Sequence, residues 1–253
     1  MRIGTAGWSL PRETSSSFPG EGSHLQRYAR VMRCAEINSS FYRPHRAETY
    51  ARWAAQTPRD FRFAVKLPRT ITHDGRLRRA RAPLARFLAE AGGLGEKLAV
   101  LLVQLPPSFA FEARPVRNFF ALLDELKPGR AAVVCEPRHA SWFSAAAERA
   151  LVAARVGRVA ADPSRVPAGA EPGGWLGPAG DGREALVYFR WHGSPRMYWS
   201  RYDAAWLAER ARALARWPGD GCWCIFDNTG GGGALPNALE LAALLRPGSP
   251  GRG

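Results

Sequence analysis

Residues 98–154 read LAVLLVQLPPSFAFEARPVRNFFALLDELKPGRAAVVCEPRHASWFSAAAERALVAA. Leu98–Gln104 is an apolar run stopped by Pro106-Pro107, which predicts a strand and a turn. Arg114–Leu126 spaces its apolar residues as one face of a helix and carries Pro115 in the first turn. Ala131–Glu136 repeats the strand signal, and Ala145–Ala154 repeats the helix, with Ser141 as a candidate N-cap. The unit is therefore strand, helix, strand, helix, the pattern of parallel pairing through crossovers.

The same alternation extends in both directions without a fixed-period sequence repeat. Strands are predicted at Arg2–Thr5, Cys34–Asn38, Phe61–Lys66, Arg158–Asp162, Leu186–His192 and Cys222–Asp227. Further helices are predicted around Leu25–Met32, Ala47–Gln56, Pro83–Gly92, Ala204–Arg216 and Leu235–Leu245, with Asp203 as an N-cap. Eight strands in 253 residues give about 32 residues per unit, so the expectation is an α/β chain folded as a (β/α)8 TIM-type barrel. An open doubly wound sheet competes, but no Gly-x-Gly-x-x-Gly follows an early strand. A single domain over 1–253 is expected, with the Gly/Pro-rich stretch 163–184 as a long loop replacing the sixth helix and 247–253 as a flexible tail.

Composition narrows the class. With 46% hydrophobic and 23% charged residues the chain is ordinary for a globular protein, and its apolar runs are too short to span a bilayer. No signal-peptide apolar region is present, and four cysteines without Cys-x-x-Cys are too few for a disulfide scaffold, so a cytoplasmic protein with no membrane partner is expected. The 36 basic and 22 acidic residues give a net charge of +14. Lys66, Lys97 and Lys127 are the only lysines, so 33 of the 36 basic residues are arginines. That skew follows either from a GC-rich genome or from an anionic partner, a small anionic molecule or a nucleic acid. Nothing in the sequence sets the oligomeric state.

The predicted strand ends are polar: Glu36 and Asn38, Lys66, Gln104, Glu136 with Arg138 and His139, Asp162, Arg190 and His192, then Asp227 and Asn228. Alternation along a strand puts Glu36 and Asn38 on one face, opposite Ile37. By the same rule Arg190 and His192 share a face, opposite Phe189 and Trp191. If the apolar partners face the helices, the polar set converges at the C-terminal ends of the strands, where such folds carry their chemistry. Two readings compete: buried ion pairs that only neutralise one another, or a site in which Glu36 or Glu136 is a general acid/base, Lys66 and Arg190 meet substrate charge, and His192 assists proton transfer.

Other features carry weaker signals. Glu36, Glu136, Asp162 and His192 offer metal-type donors, but Lys66, Arg138 and Arg190 compete for the same carboxylates, so no metal or cofactor is assigned. Cys222 and Cys224 share a face and read as interior filler. Gly230–Gly233, before the last helix, offers backbone N–H groups in an anion-binding position. Lys66–Arg86 holds seven positive charges, and Trp8, Phe41, Tyr42, Trp142, Tyr198 and Trp199 are interleaved near basic residues at strand ends. His24 and His45 read as capping or surface residues.

The segments GTAGWS (from Gly4), EINSSFYR (from Glu36), FAVKLPRTITH (from Phe63), LLVQLPPSF (from Leu101), EPRHASWF (from Glu136), FRWHG (from Phe189) and FDNTGGGGALPNAL (from Phe226) occur in an order that resembles the YecE-like family, domain of unknown function 72. The resemblance spans nearly the whole chain and implies a TIM-type barrel; it carries no established activity. Residues matching its motifs are Glu36, Asn38, Phe41, Tyr42, Lys66, His73, Gln104, Glu136, Arg138, His139, Trp142, Arg190, His192, Asn228 and Asn237. The segment after Trp8 lacks the family's aromatic residue, and Asp227 stands where the family more often has Asn. Three functional readings follow: an uncharacterised protein acting as an acid–base enzyme (hydrolase, isomerase or lyase) on a polar anion, a nucleic-acid-binding protein with an Arg-rich rim, or a metal-dependent hydrolase.

Overall fold

A computed structural model describes residues 1–177, 186–217 and 219–246. Its elements run β1 (Arg2–Thr5), α1 (His24–Val31), β2 (Cys34–Ile37), α2 (Ala47–Ala55), β3 (Arg62–Lys66), α3 (Arg81–Ala91), β4 (Leu98–Gln104) and α4 (Ala113–Leu126). They continue as β5 (Ala132–Glu136), α5 (Ala145–Ala153), β6 (Val156–Arg158), β7 (Ala160–Asp162), β8 (Gly173–Gly174), β9 (Val187–Trp191), α6 (Ala204–Leu214), β10 (Cys222–Phe226) and α7 (Ala234–Leu244). Among the described residues, no helix is long and apolar enough to cross a membrane.

Local chemistry explains the helices. In α4 the buried residues are Val116, Phe119, Phe120 and Leu123, the spacing of one helical face. At the start of α1, Ser23 accepts from the Gln26 amide while the Gln26 side chain accepts from the Ser23 amide, a capping box. Asp203 caps α6 as expected by accepting from the Trp206 amide at 2.8 Å. The α5 cap is Ser144, not Ser141; Ser141 lies in a short 3-10 turn and accepts from the Phe111 amide.

The expected (β/α)8 barrel is corrected. The strands form two sheets, four strands in the order β1-β10-β9-β7 and six in the order β2-β3-β4-β5-β6-β8, and not one closed ring. Two physical causes account for this. First, the predicted sixth strand breaks at Val159: β6 stays with β5, while β7 pairs with β9. The free edge of β6 is then taken by β8, which runs antiparallel to it at Gly157 and Arg158. Second, β1 and β2 meet through one bridge, Ala6 with Glu36, because the Tyr28 hydroxyl takes the ladder's place. That hydroxyl accepts from the Thr5 amide and donates to the Cys34 carbonyl, both at 2.9 Å. The Gly/Pro-rich stretch from Pro163 contains a 3-10 turn (Pro167–Ala170) and β8; its remainder from 178, and the 247–253 tail, lie outside the described residues.

Two hydrophobic layers result. Ile37, Val65, Leu101, Val103, Cys135, Phe189, Trp191 and Phe226 pack outward against the helices. Cys34, Ala64, Val100, Leu102, Val134, Val159, Tyr188, Trp223 and Ile225 form a separate interior cluster between the sheets. Cys222 and Cys224 belong to the outer layer, not to the interior filler the sequence suggested. Continuing each strand by two residues in the interior register leads from apolar filler to Glu36, Lys66, Gln104, Glu136, Arg190 and Asp227, which sets all of them at one end of the molecule.

Tyr28→Phe would leave the Thr5 amide and Cys34 carbonyl buried without partners, and we expect a loss of about 1–3 kcal/mol in urea unfolding. Gly4→Ala should cost more, because a Cβ there would lie 2.2 Å from the Cys34 carbonyl oxygen. A smaller loss for Gly4→Ala than for Tyr28→Phe would contradict this account of the β1–β2 seam.

Candidate functional site

Arg190, at the end of β9, is fully buried and sits among three carboxylates. Its Nε and Nη2 donate to the two oxygens of Glu36 at 2.9 and 2.7 Å, a bidentate pair. Nη2 also donates to Asp227 at 3.0 Å, and Nη1 donates to Glu136. Tyr188 adds a hydroxyl donor to Glu36 at 3.0 Å. A divalent ion bound by these carboxylates would have to stand where the guanidinium already is. Among the described residues, no group of three His, Cys, Asp or Glu is arranged to hold a metal ion.

His192 lies directly above. Its Nδ1 is 3.0 Å from Asp227, while its Nε2 is 3.3 Å from Glu136 and 3.4 Å from Nη2 of Arg138. The last two contacts cannot both be hydrogen bonds in one protonation state. A neutral ring with its proton on Nδ1 donates to Asp227 and accepts from Arg138; an imidazolium donates from Nε2 to Glu136 instead. Burial disfavours the imidazolium, but Glu136 and the hydrogen bonds to Asp227 and Glu136 outweigh it, and the pKa moves up from 6.5. Burial likewise opposes ionised Glu136, yet Arg190, Arg138 and His192 hold it well below the usual carboxylate range. Asp227 is lowered too, with burial overcome first by Arg190 and then by the His192 hydrogen bond.

Arg138 bridges the interior to the surface. Its Nε donates to Glu136 at 2.8 Å and its Nη2 to the Tyr198 hydroxyl at 3.0 Å. Tyr198 has φ +68°, a left-handed conformation seldom taken by a residue with a Cβ. Its amide donates to the His192 carbonyl, and its carbonyl accepts from the Gly230 amide, which together hold that backbone in place. Lys66 is different. Its Nζ lies 4.0 Å from the centre of the Phe41 ring, and no hydrogen bond or ion pair joins it to any described residue. Burial, then the Arg190 cation, bring its pKa down from 10.5 to about 8, against Glu36, Asp227 and Glu136. His73, on a π-turn (Thr70–Asp74), is lowered to about 4 by burial and then by Lys66. Beside Glu136, Arg138 and His192 is a cavity of about 60 Å³, also lined by Ser164, Arg165 and Met197, with room for a few waters or a small anionic group. A cavity of about 370 Å³ opens at the opposite end of the strands, but its Arg2 and Lys127 are paired with Asp220 and Asp124.

The structure therefore brings Glu36, Lys66, Glu136, Arg190, His192 and Arg138 together, with Gln104 beside Glu136 in register. Asn38 follows β2 with a buried, unpartnered Oδ1, and His73 reaches the same rim, its ring 4.9 Å from Phe41. Other predicted site residues serve local structure. Trp142 is fully buried and donates to the Phe109 carbonyl. His139 accepts from the Ser141 amide. Asp162 accepts from the Tyr202 hydroxyl, Asn237 clasps the Tyr202 backbone on both sides, and Asn228 donates to Ser200 and Asn237. Tyr42 is 74% exposed on the rim. In Gly230–Gly233, two of the four amides, those of Gly230 and Gly232, are spent on the Tyr198 and Thr229 carbonyls. In the basic run from Lys66, Arg69, Arg78, Arg81 and Arg86 pair with Asp74, Glu112, Glu125 and Glu90. The sequence marks Asp227 as a polar strand end without a role and misses Tyr188, which interior parity with Arg190 would have found.

Fold and cluster together define an α/β protein whose parallel strands converge on one buried ionic site. The chain belongs to the family described as Protein of unknown function DUF72, whose model matches residues 2–251. It is 33% identical to UPF0759 protein YecE of Escherichia coli K12 over 142 residues, 56% of this chain; that match spans about half the length of the curated relative. A DUF72 family protein from Enterococcus faecalis V583 superposes with a TM-score of 0.75 at 22% identity, covering 96% of this chain and 94% of the other. One from Thermotoga maritima MSB8 gives 0.73 at 25% identity, covering 96% and 98%.

Two measurements probe the cluster. Arg190→Met removes the donor shared by three buried carboxylates, leaves Glu36 with only the Tyr188 hydroxyl, and should cost at least about 3–5 kcal/mol in denaturant unfolding. Arg138→Met should cost distinctly less, because Glu136 keeps Arg190 and His192. Second, Lys66 is depressed in the folded state, so the unfolded chain binds more protons between about pH 8 and 10.5. Stability relative to Lys66→Met should thus rise across that window, by about 3 kcal/mol at most, and stay flat below pH 8. A flat difference through the whole range would place Lys66 in solvent.

Proposed function

We propose that this chain is an enzyme performing acid–base chemistry on a small polar anion bound at the C-terminal ends of the strands. The observation that carries the reading is His192, whose ring nitrogens face Asp227 on one side and both Glu136 and Arg138 on the other. Putting a proton on Nε2 exchanges its partner from Arg138 to Glu136, so the group is built to take up and pass a proton. Arg138, with its side chain 19% exposed, and Lys66 are the cations that meet the substrate. Arg190 and Glu36 lie beneath and touch no solvent, so the role first given to Arg190 passes to Arg138. Isomerisation, elimination and hydrolysis all draw on such a pair. The four free, buried cysteines fit a reducing, cytoplasmic setting.

A second reading rests on the exposed rings. Tyr42, Tyr198 and Trp199 are exposed on loops at this same end, and the Arg196 guanidinium stacks 4.6 Å from the Trp199 ring. Aromatic platforms beside arginines suit single-stranded nucleic acid.

The tests separate the two. Inorganic phosphate at low ionic strength should raise the melting temperature of the wild type in a saturable way. Arg138→Met should abolish the rise and Arg196→Met should not; an unchanged rise in Arg138→Met would refute the assignment. Oligonucleotide binding that weakens steeply with salt and is lost with Trp199→Ala would favour the second reading.

A further inference from the structure

Lysine is scarce in this chain, and each of the three has a distinct setting. Lys97 donates to the Ala54 and Thr57 carbonyls at 2.6 Å and to the Thr57 hydroxyl at 3.0 Å, which uses every ammonium hydrogen. Lys127 pairs with Asp124. Lys66 alone, with 5% of its surface exposed, has no acceptor among the described residues. The carboxylates nearby are spent on other donors: Glu36 on Arg190 and Tyr188, Glu136 on Arg190 and Arg138, Asp227 on Arg190 and His192. An arginine in this position would be permanently charged and non-nucleophilic, whereas an amine can lose its proton and attack.

We propose that Lys66 is a covalent catalytic residue that condenses with the aldehyde or ketone group of an anionic substrate to form an imine. The inference rests on the reading of the strand-end cluster as an active site, and names its substrate class as carbonyl compounds. The neutral Nζ attacks the carbonyl carbon, the C=O π pair moves to oxygen, and a proton passes from the now cationic nitrogen to that oxygen to give a neutral carbinolamine. A second proton, from the His192 imidazolium, lets the C–O bond break and water leave as the nitrogen pair forms C=N. One amine, one carbonyl and the His192 proton become one iminium and one water, with no change of oxidation state. Arg138 faces the substrate anion, and the Phe41 ring supports the iminium as it supports the ammonium, with Nζ 4.0 Å from the ring centre.

The amine's reactivity is set first by burial, then by Arg190 from β9, against Glu36 from β2, Asp227 following β10 and Glu136 from β5, while His73 on the π-turn is itself lowered by Lys66. Lys97 is also lowered by burial, but its hydrogens are committed to three acceptors, so it serves as an internal control.

The experiment incubates the full chain separately with pyruvate and with glyceraldehyde 3-phosphate, reduces with cyanoborohydride and maps adducts by peptide mass spectrometry. Lys66 should be modified about tenfold or more above Lys97 and Lys127 with at least one probe. The yield should climb as pH rises through about 8. Lys66→Arg, checked for native melting, should lose this adduct without gaining one elsewhere. Labelling spread equally over the three lysines, or absent from Lys66 with both probes, would overturn the covalent step. If phosphate still stabilises the wild type through Arg138 in that case, the acid–base reading survives and only the imine falls; if the phosphate effect is missing too, both fall.

Discussion

A single guanidinium organises the site. Arg190 is inaccessible to solvent and donates four hydrogen bonds to carboxylates arriving from β2, β5 and the end of β10. Burying three carboxylates together would be prohibitive in a low-dielectric interior, since each loses its hydration and repels the others. The planar fork removes that obstacle by giving each acid a directed donor. In turn, the three acids tie both sheets to one point. β2 and β5 belong to the six-stranded sheet, while β9 and β10 belong to the other. The ionic cluster therefore crosses the two places where the strand ladder is interrupted.

That role explains why much was legible in the sequence and why some was not. Strand parity placed Glu36, Arg190 and His192 on one face, because alternation is a property of the backbone and survives any arrangement of sheets. Helix faces were legible for the same reason, as in Val116, Phe119, Phe120 and Leu123 of α4. Closure of the ring was not legible. It failed at Val159, where β8 competes for the edge of β6, and at β1–β2, where a tyrosine hydroxyl substitutes for ladder hydrogen bonds. Both are long-range substitutions between backbone and partner that no local pattern records.

The site shows the same division. Residue type and strand-end position identified the cluster, but not the depth of each member within it. Arg190 and Arg138 read alike in sequence, yet one is sealed beneath the carboxylates and the other spans from Glu136 to Tyr198 at the surface. Trp142, Asn237 and Asp162 lie near strand ends or helix starts in sequence, yet their polar atoms are spent on Phe109 and Tyr202. Motif membership marks a residue as needed; only its hydrogen-bond partner tells whether it is needed for shape or for chemistry.

Charge balance gives the cluster its chemical character. Glu36, Glu136 and Asp227 supply three negative charges, and Arg190 and Arg138 supply two fixed positive ones. One further proton neutralises the group, and two residues compete for it: Lys66, drawn down to about 8, and His192, drawn up from 6.5. They move in opposite directions because burial and Arg190 prevail at Lys66, whereas Glu136 and the hydrogen bonds to Asp227 and Glu136 prevail over burial at His192. On the proposed reading, an anion bound beside Arg138 adds to the pull that Glu136 and Asp227 already exert on the His192 proton. A site built from permanent charges alone would bind the same anion, but it would have nothing to give it.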